Sequence, residues 1–179
     1  TGNNNLTITG NALDDVITGN AGNDILIAGT GNDTLIAGTG GGTMVGGTGS
    51  DTFVFFDQSS GQQTIIDSFK TPTDIVRFGF GISAGDCQFT LNGADLLVTY
   101  GTYGDSVLIQ NFAPNGPTGN QLITQFQFVA HSTGTYVNDG LGNARLNASD
   151  SSGELPGDYW LHAHGSHGHA RFHLSPCSF

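Results

Sequence analysis

Thr1 to Val54 divides without remainder into six nine-residue units: TGNNNLTIT, GNALDDVIT, GNAGNDILI, AGTGNDTLI, AGTGGGTMV and GGTGSDTFV. A fixed short period constrains the fold more than any single motif, because a unit this small cannot bury its own apolar face and must stack on its copies. Position eight of every unit is apolar: Ile8, Ile17, Leu26, Leu35, Met44 and Phe53. Position six is acidic in four units, as Asp15, Asp24, Asp33 and Asp51, while Leu6 and Gly42 break the series. Positions one, two and four are mostly Gly or Asn, residues that tolerate positive φ. The pattern predicts a tight turn of about six residues, then a strand of about three with one side chain facing inward.

The units resemble the repeats-in-toxin (RTX, haemolysin-type) nonapeptide G-G-x-G-x-D-x-U-x, in which U is apolar and the turns bind Ca²⁺. GNAGNDILI followed in frame by AGTGNDTLI, and later by GGTGSDTFV, carries the resemblance. It implies an all-β fold: a right-handed parallel β-roll with two nonapeptides per coil, followed by a β-rich C-terminal cap. It also implies calcium between stacked turns, held by position-six aspartates of units i and i+2 and by backbone carbonyls. On this sequence the even units then stack Asp15, Asp33 and Asp51, which supplies two aspartate pairs. The odd units stack Leu6, Asp24 and Gly42, so Asp24 lacks a partner carboxylate. Because Ca²⁺ takes six to eight oxygens and binds more tightly with more charged ligands, two good even-side sites and weaker odd-side ones are expected. Asp14, at position five, is a further carboxylate near the first even site. Read without the resemblance, the same aspartates are turn formers that bond their own backbone. A metal-free Asp stack would repel itself around a very small apolar interior.

The formal net charge is −11, with only Lys70, Arg77, Arg145 and Arg171 as basic residues. A chain this poor in Lys and Arg is not suited to a phosphate backbone, so nucleic acid is not an expected partner. The acidic residues are Asp with the single exception of Glu154, a skew that fits turns and oxygen ligation better than helical surfaces. Gly accounts for 29 of 179 residues, about twice the usual share of roughly 7%, and long helices are not expected. No apolar run reaches the ~18 residues that span a bilayer. The chain opens at Thr1 with no basic-then-apolar leader, and a fragment of a longer polypeptide or a processed product is expected. Cys87 and Cys177 lack metal-ligand spacing and are too few for a disulfide scaffold, which leaves a single Cys87–Cys177 pairing open.

Beyond the repeats, residues 55–130 hold short apolar segments of strand length: TIIDSF from Thr64, DIVRFGF from Asp74, CQFTL from Cys87, DLLVTY from Asp95, VLIQNF from Val107 and LITQFQFV from Leu122. Asp57 to Gln63 reads as a loop, and Asn92-Gly93 and Gly101 to Gly104 read as turns. DTFVFF, IIDSF and TDIVRF, with the later DSVLIQNF, are similar to segments that close the roll in the same family. Such a region caps the open backbone edges of the coil, and its phenylalanines supply the burial that three-residue strands lack. A separate β-sandwich is the alternative. The position-nine residues Ile27, Ile36, Val45 and Val54 face outward, to be covered by later strands or to meet a partner.

Residues 131–179 form a Gly/Ser/Asn-rich and histidine-rich tail without sustained periodicity. His162, His164, His167, His169 and His173 suit Zn²⁺, Cu²⁺ or Ni²⁺ as a class, or are simply a histidine-rich tail. The tail stands where the family's type I export signal is found, although histidine and Cys are atypical of it. No H-E-x-x-H is present, and the G-x-S-x-G of Gly81 to Gly85 lacks the strand-then-helix setting of a nucleophile elbow. The sequence therefore reads as a non-enzymatic, calcium-binding module of a secreted bacterial protein that folds on extracellular Ca²⁺. Two alternatives stand beside it: a self-associating surface or matrix protein, and a fragment of an exported protease, lipase or epimerase whose active site lies elsewhere.

Overall fold

The computed structural model describes residues 2–57, 61–66, 74–79, 82, 84–112, 123–128, 132–138, 144–149, 157–164 and 169–176. Among them the only helical element is a 3₁₀ turn, Ala84–Asp86. The odd repeats place their strands in one column, β1 (Thr7–Thr9), β3 (Asp24–Thr30) and β5 (Gly42–Thr48). The even repeats form a second column, β2 (Val16–Thr18), β4 (Thr34–Ile36) and β6 (Thr52–Phe55). Each column is parallel and in register, pairing Ile8 with Leu26 and Leu26 with Met44, and Ile17 with Leu35 and Leu35 with Phe53. Two nonapeptides therefore complete one coil, and the six repeats form a three-coil parallel β-roll.

Position eight faces inward as its apolar character requires, and burial deepens along the roll. Ile8 is partly buried, Ile17 is 6% exposed, and Leu35 and Phe53 are fully buried. Strands β3 and β5 are longer than the three residues the pattern predicts, at seven residues each. The reason is local: the first half of the even-side turn also pairs in register, Gly29 with Gly47 and Thr30 with Thr48, so the ladder continues into the turn.

The two columns do not stop at Val54. On the odd side β7 (Gln62–Ile65) and β11 (Asp105–Ile109) continue in parallel, carrying the inward row from Met44 through Ile65 to Ile109. On the even side β8 (Asp74–Phe78) and β12 (Ile123–Phe128) do the same, from Phe53 through Val76 to Phe126. The loop expected over 57–63 gives way to strand at Gln62. Strands β9 (Gln88–Asn92) and β10 (Asp95–Tyr100) form a hairpin through Gly93 at φ 64°, and β10 pairs with β11 through the Gly101–Gly104 turn. In the C-terminal region, where no periodicity is legible, four antiparallel strands follow: β13 (Ser132–Asn138), β14 (Ala144–Ser149), β15 (Gly157–His164) and β16 (His169–Pro176). Antiparallel neighbours require only short connections, so such strands form without a long apolar run. β16 pairs with β9 and links the two columns into one sixteen-stranded sheet, with β1 and β2 as its two ends.

Large aromatics fill the interior where the roll meets the cap. Phe78 packs on Tyr100 and Phe128 at centroid distances of 5.0 and 5.3 Å, and Phe89 meets Phe126 edge-on at 5.2 Å. The outward position-nine row runs from Ile36 through Val54 to Arg77 and Gln127, where Arg77 Nε donates to Gln127 Oε1 at 2.9 Å. Val54 is buried, whereas Ile27, Ile36 and Val45 are half-buried.

Candidate metal centre

The even-side turns bring the position-six aspartates into one column. The Asp15 N–H donates to Asp33 Oδ1 at 2.7 Å, and the Asp33 N–H donates to Asp51 Oδ1 at 2.9 Å. The column has a fourth member outside the repeats, because the Asp51 N–H donates to Asp74 Oδ1 at 2.7 Å. Asp33, Asp51 and Asp74 are all buried, at 1%, 0% and 1% exposure. Four stacked aspartates make three adjacent pairs: Asp15 with Asp33, Asp33 with Asp51, and Asp51 with Asp74. Asp74 escapes a nine-residue count, since it lies 23 residues beyond Asp51. Its signal is the spacing of positions six and eight: Asp51-Thr52-Phe53 recurs as Asp74-Ile75-Val76, and Phe53 pairs with Val76.

The odd side is built differently. Asp24 stacks beneath Gly42 and above Leu6, and both of its oxygens are occupied: Oδ1 accepts the Leu6 N–H at 2.9 Å and Oδ2 the Asn20 N–H at 2.5 Å. Above Gly42 the next register position is Gln63, which is 2% exposed. Its Nε2 donates to the Gly40 carbonyl, so an amide donor sits on a turn oxygen of this column. Asp33 on the even side contrasts with Asp24, because its Oδ2 is buried with no hydrogen-bond partner.

That orphan oxygen decides what the even column accommodates. Carboxylates one strand separation apart, ~4.8 Å, repel by about 3 kcal/mol per neighbouring pair at an effective dielectric of ~20. A single N–H bond to a charged acceptor returns about 1.5–3 kcal/mol, which offsets only part of one such repulsion and leaves Oδ2 unsatisfied. A divalent cation answers both terms at once. The turn backbone supplies further oxygens of the kind Ca²⁺ prefers. The Asn11 and Leu13 carbonyls are directed at Gly29 and Gly31, and those of Gly29 and Gly31 at Gly47 and Gly49. These four glycines hold φ between 108° and 132°, whereas Gly19, Gly22, Gly38, Gly40 and Gly41 in the turns of the odd repeats do not have positive φ. The residues present therefore fit Ca²⁺, which Asp15, Asp33, Asp51 and Asp74 would hold. Among the described residues no group of three or more His, Cys, Asp or Glu side chains converges on one point. The candidate positions instead rest on carboxylate pairs and backbone carbonyls.

Asp14 takes another part. It is exposed, and its Oδ1 accepts the Asn32 N–H at 2.8 Å, while Asn32 Oδ1 in turn accepts the Ser50 N–H at 3.0 Å. Position five thus forms an outer ladder, antiparallel in donor sense to the aspartate column inside it.

Of the other sequence candidates, His162 and His173 occupy directly paired positions of β15 and β16, and His164 is paired with Arg171. His167, Cys177, Gly81 and Ser83 lie outside the described residues. Cys87 is buried, and burial first and the Asp86 charge second push its thiol pKa well above the ordinary value. A groove beside the odd turns, lined among others by Asn20, Ile36, Ala37, Thr39 and Phe56, carries no titratable side chain. No helix among the described residues is long and apolar enough to cross a membrane.

Comparison with known families agrees with this geometry. Residues 9–44 match the family model of the RTX calcium-binding nonapeptide repeat, in four copies. No curated protein gives a significant match to the chain. The matched stretch coincides with the parallel roll and its even-side aspartate column, so residues 9–44 are RTX calcium-binding nonapeptide repeats.

Proposed function

We propose that this module is a calcium-triggered folding unit of a secreted protein, non-catalytic in itself, and that its ions sit chiefly on the even side of the roll. The buried, unpartnered Oδ2 of Asp33 carries this reading. Without a cation the column repels itself, and ordering a glycine-rich chain costs about 1–2 kcal/mol per residue in backbone entropy. Cation binding stabilises only the folded state, so the equilibrium follows calcium concentration by mass action. Low calcium before export then keeps the repeats unfolded, and extracellular calcium folds them as part of a larger exported protein. Hydrogen exchange tests this: amides of β3 to β6 should exchange freely in chelator and become protected with calcium. Equal protection in both conditions would remove calcium as the trigger.

A second reading, self-association, is favoured by the open end of the sheet. Among the described residues β1 and β2 have no outer neighbour in the sheet order, and Leu13, just before β2, and Val16, its first residue, are 72% and 73% exposed. Unpaired edges of this kind are templates for another chain. A strictly monomeric elution in calcium across a wide concentration range would rule this reading out.

A further inference from the structure

Asp105 is a carboxylate that the repeats do not account for. It opens β11, well beyond the residues matched by the family model, and is 2% exposed. Its Oδ1 accepts the Gly61 N–H at 3.1 Å, while its Oδ2 is buried with no hydrogen-bond partner. Asp33 in the roll has the same arrangement, with Oδ1 on the N–H of the coil below and Oδ2 buried without a donor. One of these carboxylates lies at position six of a repeat and the other in a cap hairpin, yet both retain a buried oxygen that no protein group satisfies. An ionised carboxylate in that state needs a positive partner.

The surroundings specify the class of partner. Asp57 is a second carboxylate held at the same hairpin: it accepts the Thr102 N–H at 3.1 Å and the Thr102 hydroxyl at 2.8 Å. A Cβ on Gly101 would collide with Asp57 Oδ1, and Gly101 follows Tyr100, the cross-strand partner of Asp105. Residues 95–110 contain no His, Cys, Lys or Arg, so neither a soft-ligand metal site nor an ion pair within the hairpin is available. Oxygen ligands without nitrogen or sulfur suit a hard cation.

We propose that Asp105 is the buried carboxylate of a further Ca²⁺ site, at the end of the β10–β11 hairpin and separate from the roll. Such a site ties Gly61, at the head of β7, to the hairpin and so fastens the cap to the odd column, where the repeats offer few carboxylates. The proposal rests on the calcium reading of the roll only for the identity of the ion.

The test uses the full chain stripped with chelator and titrated with Tb³⁺, a calcium substitute that emits when a nearby tyrosine is excited. Residues 1–54 contain no Tyr or Trp, whereas Tyr100 pairs directly with Asp105, so tyrosine-excited emission is expected chiefly from an ion at Asp105. Emission that Ca²⁺ competes away is expected from the wild type. Asp105→Asn should lose most of it and bind one ion fewer by calorimetry, while Asp33→Asn should keep it. Emission unchanged in a folded Asp105→Asn protein overturns the proposal. Should that variant fail to fold, the wild type still decides: roll ions bound by calorimetry with no tyrosine-excited emission overturns the cap site alone. No ion uptake at all would instead overturn the calcium reading of the roll.

Discussion

Asp33 belongs to two neighbouring carboxylate pairs, with Asp15 below it and Asp51 above, whereas Asp24 faces Leu6 on one side and Gly42 on the other. Asp33→Asn is therefore expected to lose two ions in calorimetry, and Asp24→Asn at most one weak ion. Equal losses would mean that the two sides of the roll are equivalent, against the donor pattern seen here. Asp74→Asn should lose one ion and lower the calcium-loaded melting temperature, because its pair with Asp51 joins the last repeat to β8. Cys87 gives an independent check on the cap. Burial and Asp86 both favour the neutral thiol, so as pH rises through the ordinary thiol range of about 8.5 the folded protein should leave Cys87 unalkylated. Peptide mapping after labelling at that pH, with and without denaturant, measures this. Rapid native labelling of Cys87 would show that the cap opens. The aspartate column is legible in the sequence as far as Asp51, because the nine-residue frame is unbroken to that point. Asp74 and Asp105 are not legible from that frame, because the residues between them and Asp51 do not repeat the nine-residue pattern.

Among the elements, the even-side turns carry the tightest constraint. At Gly49 φ is +132°, and a Cβ there would collide with the Gly31 carbonyl oxygen of the coil below. Gly93 also has positive φ, at 64°, but a Cβ there meets nothing within 4 Å. Gly93→Ala should therefore cost only the conformational penalty of about 1 kcal/mol, whereas Gly49→Ala should also displace the turn and weaken calcium binding. Thermal melts of both variants in saturating calcium test the ranking, and similar shifts would contradict it. The strands of the roll are legible because position eight recurs every nine residues and each recurrence is buried or partly buried. Hairpin turns at Gly93 and at Gly101–Gly104 are legible from glycine placement. The strands after residue 131 are not, because Ser, Gly, Asn and His alternate there without an apolar rhythm, and their pairing is set by neighbours across the sheet.

At the scale of the whole molecule the sheet is continuous, from the open β1 end, through the cap, to the open β2 end. Burial is graded along it, from exposed Val16 near the open end to fully buried Phe53, Phe55 and Phe78 at the cap. The cap holds the aromatic core, whereas the first coils have little apolar burial and depend on their aspartates. Removing calcium should therefore unfold the roll from its open end while leaving residual structure in the cap. The most direct test of the account is a calcium titration of chelator-treated protein, followed together by far-UV circular dichroism and calorimetry. The account predicts a coil-to-β transition that accompanies tight ions equal in number to the three even-side aspartate pairs, with the proposed cap ion as one more. A protein already folded in chelator, with a spectrum that calcium does not change, would contradict it and leave the aspartates as turn residues.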